Sequence, residues 1–151
     1  MSLHIRPASI HDIDHVAALF DQYRQFYEQA PNLALATQFI SARMQRQESV
    51  ILIAVADNAE VVGFCQLYPS FCSVIAAPIY TLYDLYVSPS QRRTGAGKAL
   101  LQAAEAHARA VGAQRMDLTT ARTNLTAQTL YASLGWELDT VFLAYNRTVS
   151  A

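Results

Sequence analysis

The segment Asp84-Leu85-Tyr86-Val87-Ser88-Pro89-Ser90-Gln91-Arg92-Arg93-Thr94-Gly95-Ala96-Gly97-Lys98-Ala99-Leu100 constrains this chain more than any other. An aromatic and β-branched run passes through a basic glycine turn straight into a helical pattern. The first turn of a helix leaves about four N–H groups without internal partners and carries roughly half a positive charge. Gly95 and Gly97 allow close approach to that backbone, so the junction is an anion site suited to phosphate oxygens. Arg92, Arg93 and Lys98 place three cations there within seven residues.

Familiar phosphate motifs fit this turn unequally. A Walker loop needs glycine where Arg92 stands and a hydroxyl residue where Ala99 stands, which argues against a nucleoside triphosphatase. The dinucleotide fingerprint needs a small third residue where Leu100 stands, and it opens the first strand of its unit. The pattern that remains is Arg-x-x-Gly-x-Gly, from Arg92 to Gly97.

Around this turn the hydrophobic periods alternate between those of helix and strand. Leu3 to Arg6 reads as a strand, and Ser9 with Asp12 three residues later announces a helix to about Gln29. A second helix carries Phe39, Ile40, Arg43 and Met44 and ends near Gln47. Val50–Ala56 and Glu60–Tyr68 form a hairpin about Asp57-Asn58-Ala59, and a loop holding Pro69 and Pro78 leads to a strand over Ile79–Val87. A helix runs from Ala96 to Val111 and stops at Gly112, followed by a strand over Met116–Thr120. The stripe Ala127, Leu130, Tyr131, Leu134 is a further helix ended by Gly135, with strands expected over Trp136–Leu138 and Phe142–Thr148. Hairpin strands followed by a strand–helix–strand crossover imply an α/β fold with a mixed sheet.

Composition narrows the class. At 151 residues the chain is expected to form one domain, residues 1–151, and its 52% hydrophobic and 15% charged content predicts a substantial core. No apolar run approaches the roughly 20 residues needed to cross a bilayer, and no signal peptide opens the sequence, so the expectation is a cytoplasmic protein without membrane partners. A net charge of −1 argues against nucleic-acid binding. Cys65 and Cys72 lack metal-ligand spacing and read as reduced and structural. His11 and His15 share a helix face but have no third ligand in view, so no metal is expected.

A second motif, Asn124-Leu125-Thr126-Ala127-Gln128-Thr129-Leu130-Tyr131-Ala132-Ser133-Leu134-Gly135-Trp136, follows the first in order. Together the two segments resemble the GCN5-related N-acetyltransferase (GNAT) family. The resemblance implies the acyl-CoA N-acyltransferase fold, a mixed and centrally splayed β-sheet flanked by helices, with acetyl-CoA as cosubstrate and an amine as acceptor. It implies that Arg92, Arg93, Thr94, Gly95, Ala96, Gly97 and Lys98 hold the cofactor's pyrophosphate, chiefly through backbone amides. The family often has glycine where Arg93 stands. The strand Leu82–Val87, splayed from the one over Met116–Thr120, would present Leu85, Tyr86 and Val87 to the pantetheine, which Asn124 would also contact. Tyr131 would protonate the departing thiolate, and the transfer would need no covalent enzyme intermediate.

Related polyamine-type members have Glu-Asp where this chain has Tyr83-Asp84. The resemblance therefore leaves Asp84 either as the group that takes the amine's proton or as a strand-face carboxylate that only tunes the local field. Tyr23, Tyr27, Gln66, Tyr68 and Tyr80 are candidates to line the acceptor site, since aromatic faces and hydroxyls can hold an ammonium group; Tyr23 and Tyr27 also read as core. The absence of an acidic cluster disfavours a polycationic acceptor. A non-catalytic acyl-CoA sensor or interaction module is the alternative reading, and two-fold dimers are common among small soluble domains.

Overall fold

Ser9 and Asp12 act as their spacing predicts. In the computed structural model, which describes residues 2–150, they form a reciprocal capping box at a 3-10 turn, Ile10–Asp12, that leads into helix α1, Ile13–Phe26. Arg6, on the opening strand β1, Leu3–Pro7, grips the Asp12 carboxylate with both terminal nitrogens at 2.8 and 3.0 Å. Asn32 then caps α2, Leu33–Gln45, by accepting from Leu35 N–H, so this helix begins a full turn before Phe39. Buried Asp21 on α1 accepts from the Asn32 N–H at 2.9 Å and ties the two helices together.

The described residues fall into two compact units, one ending at Thr119 and one beginning at Thr120. The first holds β1, β2 (Val50–Ala56), β3 (Val61–Cys72), β4 (Ala77–Val87) and β5 (Met116–Asp117) in one sheet of order β1-β2-β3-β4-β5. The first four strands run antiparallel, and β5 lies parallel to β4 through only two pairs, Tyr80 with Met116 and Thr81 with Asp117. From Leu82 onward that edge of β4 has no strand beside it among the described residues, so the mixed sheet opens there.

The stretch between Pro69 and Pro78, expected as a loop, is mostly strand. β3 continues to Cys72 and β4 starts at Ala77, with the turn confined to the residues between them. Pro69 is tolerated because β2 reaches only as far as Leu67, and Pro78 because the chain leading into β5 calls only on its carbonyl, which accepts from Gln114 N–H at 2.9 Å.

Helix α3, Ala96–Ala110, buries Ala96, Leu100, Leu101, Ala104 and Ala108. At roughly 2 kcal/mol for each fully buried leucine, that stripe is enough to hold the helix on the sheet. Gly63 and Phe64 show how the layers divide. A Cβ at Gly63 would meet Leu100 of α3 at 3.4 Å, whereas Phe64 packs into the cluster of Val16, Phe20 and Ile40. Successive strand residues point to opposite faces, so α3 covers one face and the α1–α2 pair covers the other.

The second unit contains α4, Leu125–Ser133, capped by the Asn124 carbonyl accepting from Ala127 N–H at 3.3 Å. The two strands expected after Gly135 are not formed. Asp139 accepts from the N–H groups of Val141 and Phe142 at 2.8 and 3.1 Å and turns the chain there. The flanking β-branched and aromatic residues make no ladder, and without a ladder such a run has no reason to stay extended as strand. No helix of the described residues is long and apolar enough to cross a membrane.

Candidate active site

Asp84 lies on β4 and is only 2% exposed. The antiparallel register sets it opposite Gln66 of β3, just before a bulge at Gln66/Leu67. Gln66 Nε2 donates to Asp84 Oδ2, and Ser49 Oγ donates to Gln66 Oε1 at 2.7 Å, so a line of polar side chains runs from the α2–β2 connection into the sheet. Burial dominates the Asp84 environment and pushes its carboxyl up to about 6, while the Gln66 bond and the nearby Tyr23 hydroxyl oppose the rise. A carboxyl held there changes charge close to neutral pH, the condition for exchanging protons in a reaction.

Four of the expected acceptor residues gather around this carboxylate. The Tyr23 ring packs within 6.4 Å of Phe64 and Tyr86, and its hydroxyl donates to the Tyr83 carbonyl at 3.0 Å. Tyr23 therefore packs on the core and also lies near Asp84. Burial first, and then the Asp84 charge, raises its phenol far above the ordinary value, which keeps it a neutral donor. Tyr27 meets Tyr23 edge-on at 5.1 Å, and Gln66 is fully buried. Tyr68 meets Tyr83 at 5.6 Å; burial and Asp84 push the Tyr68 phenol up to about 12, with Arg43 pulling the other way. Tyr80 is set apart, its ring 5.7 Å from His107 of α3 and so on the opposite face.

Beside Tyr68 and Tyr83 opens a cavity of about 590 Å³, lined further by Phe39, Arg43, Glu48 and Pro69. The cavity is wide open to solvent rather than enclosed. Sequence reasoning placed Arg43 on its helix but gave neither it nor Glu48 a role, because residues on either side of a helix end converge only once the chain turns into β2.

Three residues beyond Asp84, about 10 Å along an extended strand, β4 ends at Val87 and the basic turn begins. Ser88 N–H bonds to Val62 C=O at 2.8 Å, so alternation turns the backbone groups of Leu85 and Val87 away from β3 toward the open edge. Val87 C=O is not left free there. Arg92 Nε donates to it at 3.1 Å, with the guanidinium 5.3 Å from the centre of the buried Tyr86 ring. Thr94 Oγ1 donates to Gln91 C=O at 2.6 Å and steadies the turn.

Gly95 caps α3 at φ +87°, and Arg93 also adopts a left-handed backbone at φ +68°. The Arg93 and Lys98 side chains are exposed, Ala96 is buried beneath the helix start, and a Cβ at Gly95 would meet nothing within 4 Å. The N–H groups from Arg93 to Lys98 have no acceptor among the described residues; the first helical bond runs from Ala99 to Gly95. The corner is thus an open row of donors at a positive helix end, which fits a diphosphate.

In the second unit, Tyr131 is partly buried on α4 with its ring 6.1 Å from Trp136, whose N–H bonds back to the Tyr131 carbonyl at 3.0 Å. The Asn124 carbonyl is spent on capping α4, leaving its amide nitrogen as the polar group not used in the cap.

A mixed sheet opening beside its fourth strand, followed by a bare row of helix-start donors, is the acyl-CoA N-acyltransferase architecture. The chain matches the model of the acetyltransferase (GNAT) family over residues 14–136, and it belongs to that family. It is 46% identical over 149 residues to the "Uncharacterized N-acetyltransferase YhfO" of Bacillus subtilis (strain 168), covering 99% of each chain. Among solved structures it is similar to a "probable acetyltransferase" at 38% identity and TM-score 0.92, covering 98% of this chain and 99% of that one. The aminoglycoside N-acetyltransferase AAC(6')-Iy, solved in complex with CoA, shares the fold at 20% identity and TM-score 0.81, over 98% of this chain and 96% of that one.

Proposed function

We propose that this acetyltransferase moves the acetyl group of acetyl-CoA directly to an amine, with Asp84 as the proton acceptor. One observation carries the reading. A buried carboxyl held near 6, ringed by tyrosines, stands on the same strand that ends in the open row of N–H donors.

Acetyl-CoA would supply an activated thioester. The N–H groups of Arg93 to Lys98 would hold its diphosphate, and the open edge of β4 at Leu85 would run beside its pantetheine arm, with Asn124 a further contact. An N–H on that edge would meet the carbonyl oxygen as negative charge develops. The acceptor must arrive without its proton, because an ammonium has no lone pair. Asp84, directly or through a water, takes the proton as the nitrogen–carbon bond forms. When the carbon–sulfur bond breaks, its electron pair leaves on sulfur, and Tyr131 would return a proton to it. Protons and charge then balance, with an amide and free thiol as products and no covalent enzyme intermediate.

The test is thiol release from acetyl-CoA with a panel of amines, alongside calorimetric CoA binding. Turnover with at least one amine, strongly reduced in Tyr131→Phe at unchanged CoA affinity, is the expected result. CoA binding with a flat amine panel would sink catalysis and leave the protein a CoA sensor. Failure to bind CoA at all would sink both.

A further inference from the structure

The open cavity at Tyr68 and Tyr83 contains a fixed cation that the acetyl-transfer chemistry does not use. Arg43, at the end of α2, is held on two sides: its guanidinium carbon lies 4.4 Å from the centre of the Phe39 ring, and its Nε donates to Glu48 at 3.0 Å. Its side chain is 19% exposed, against 46% for Glu48. Neither contact uses the terminal nitrogens, which have no hydrogen-bond partner among the described residues, on a side chain that lines the cavity. A stacked guanidinium with its outer edge open is the geometry that receives a carboxylate through two parallel N–H bonds.

Arg43 is connected to Asp84 through the cavity wall: Tyr83 directly precedes Asp84 on β4, and Ser49, next to Glu48, donates to Gln66, whose amide holds the Asp84 carboxylate. Arg43 pairs with Glu48 and Asp84 with Gln66, so the two opposite charges are not spent on each other. Phe39, Tyr68, Pro69 and Tyr83 would flank an acceptor's stem with aromatic and apolar surface. A second ammonium on the acceptor would meet Arg43, a repulsion that works against polycations.

Resting on the acetyltransferase reading above, we infer that the acceptor is a small amine that also bears a carboxylate, its amine at Asp84 and its carboxylate on the open edge of Arg43. The compounds to use are phenylalanine, 6-aminohexanoate and the dipeptide Gly-Phe, each against its own carboxamide at matched free-amine concentration, with spermidine and kanamycin as polycations. The expected result is at least a tenfold preference in kcat/KM for the carboxylate member of one or more pairs, carried mainly by KM. Arg43→Ala should bring that ratio toward one, Arg43→Lys should keep part of it, and Glu48→Gln should enlarge it. With CoA present, the preferred amino acid should raise the wild-type melting temperature more than its carboxamide does, a readout that needs no variant to fold. Turnover of carboxamides or polycations at rates equal to or above the carboxylates overturns this inference and leaves acetyl transfer standing. So does a preference that survives Arg43→Ala. CoA binding without turnover of any amine overturns both.

Discussion

Gln66 and Asp84 face each other across the β3–β4 hairpin, and the amide of one donates to the buried carboxylate of the other. The amide stabilises the charge that burial disfavours. Asp84 thereby stays within reach of neutral pH instead of remaining protonated throughout.

Activity should therefore rise with pH through the Asp84 transition at about 6. Asp84→Asn should lower kcat by roughly 10²- to 10⁴-fold and remove that acidic limb, while CoA affinity holds. A pH–rate profile of kcat/KM, with calorimetry on the variant, checks this; an unchanged limb in the variant would assign the titration elsewhere.

The same burial implies a stability cost with a definite sign. The Asp84 carboxyl is raised from 3.8 to about 6 on folding, so its favourable contribution is complete below about 3.8 and lost as pH rises through about 6. Above that range the folded state carries a charge it would be more stable without. Asp84→Asn should then stabilise the protein by on the order of 2 kcal/mol at pH 7.5 and by little at pH 3.5. Urea unfolding at the two pH values gives the comparison.

Gln66→Leu removes the donor while keeping the volume close. The acidic limb of the rate profile should move to higher pH, and Ser49→Ala, one bond further out, should move it in the same direction by less. Equal shifts in the two variants would contradict the order of the chain.

At the basic turn, two neighbouring substitutions should behave oppositely. Arg93 already pays for a left-handed backbone, so Arg93→Gly is tolerated, with CoA affinity within about threefold and stability within about 1 kcal/mol. Gly95→Ala imposes that strain on the helix cap at about 1–2 kcal/mol and should weaken CoA binding at least tenfold, although space for the methyl is free. Melting curves and calorimetry on both variants decide it.

Asp12→Ala breaks both the capping box and the grip of Arg6, and should cost about 2 kcal/mol at pH 7. The Arg6 hydrogen bonds hold the Asp12 carboxyl well below the usual carboxylate range. Its contribution is therefore present above about 3.8 and is lost as pH falls below that, so the gap between wild type and variant should narrow in acid.

Local chemistry accounts for what was legible in advance. Ser9 with Asp12, the glycine turn from Arg92 to Gly97 and the helix after Asn124 are all determined by near neighbours, and each lies where its residues predict. Features set by distant pairing were harder to see. The Gln66–Asp84 bond depends on a register interrupted by a bulge, and Pro69 sits within a strand only because β2 stops short of it. Arg43 gained its place from the way α2 ends and the chain returns at Ser49. The strands expected beyond Gly135 had suitable residues but no ladder.

The alternation of Gly63 and Phe64 along a single strand has a further consequence. With the aromatic cluster on one side of the sheet and α3 on the other, exchanging side chains on α2 and at Glu48 just beyond it changes the wall of the open cavity without touching the backbone corner at the start of α3. A library confined to Phe39, Arg43 and Glu48 should therefore retune which molecule is modified while leaving affinity for the acyl donor intact.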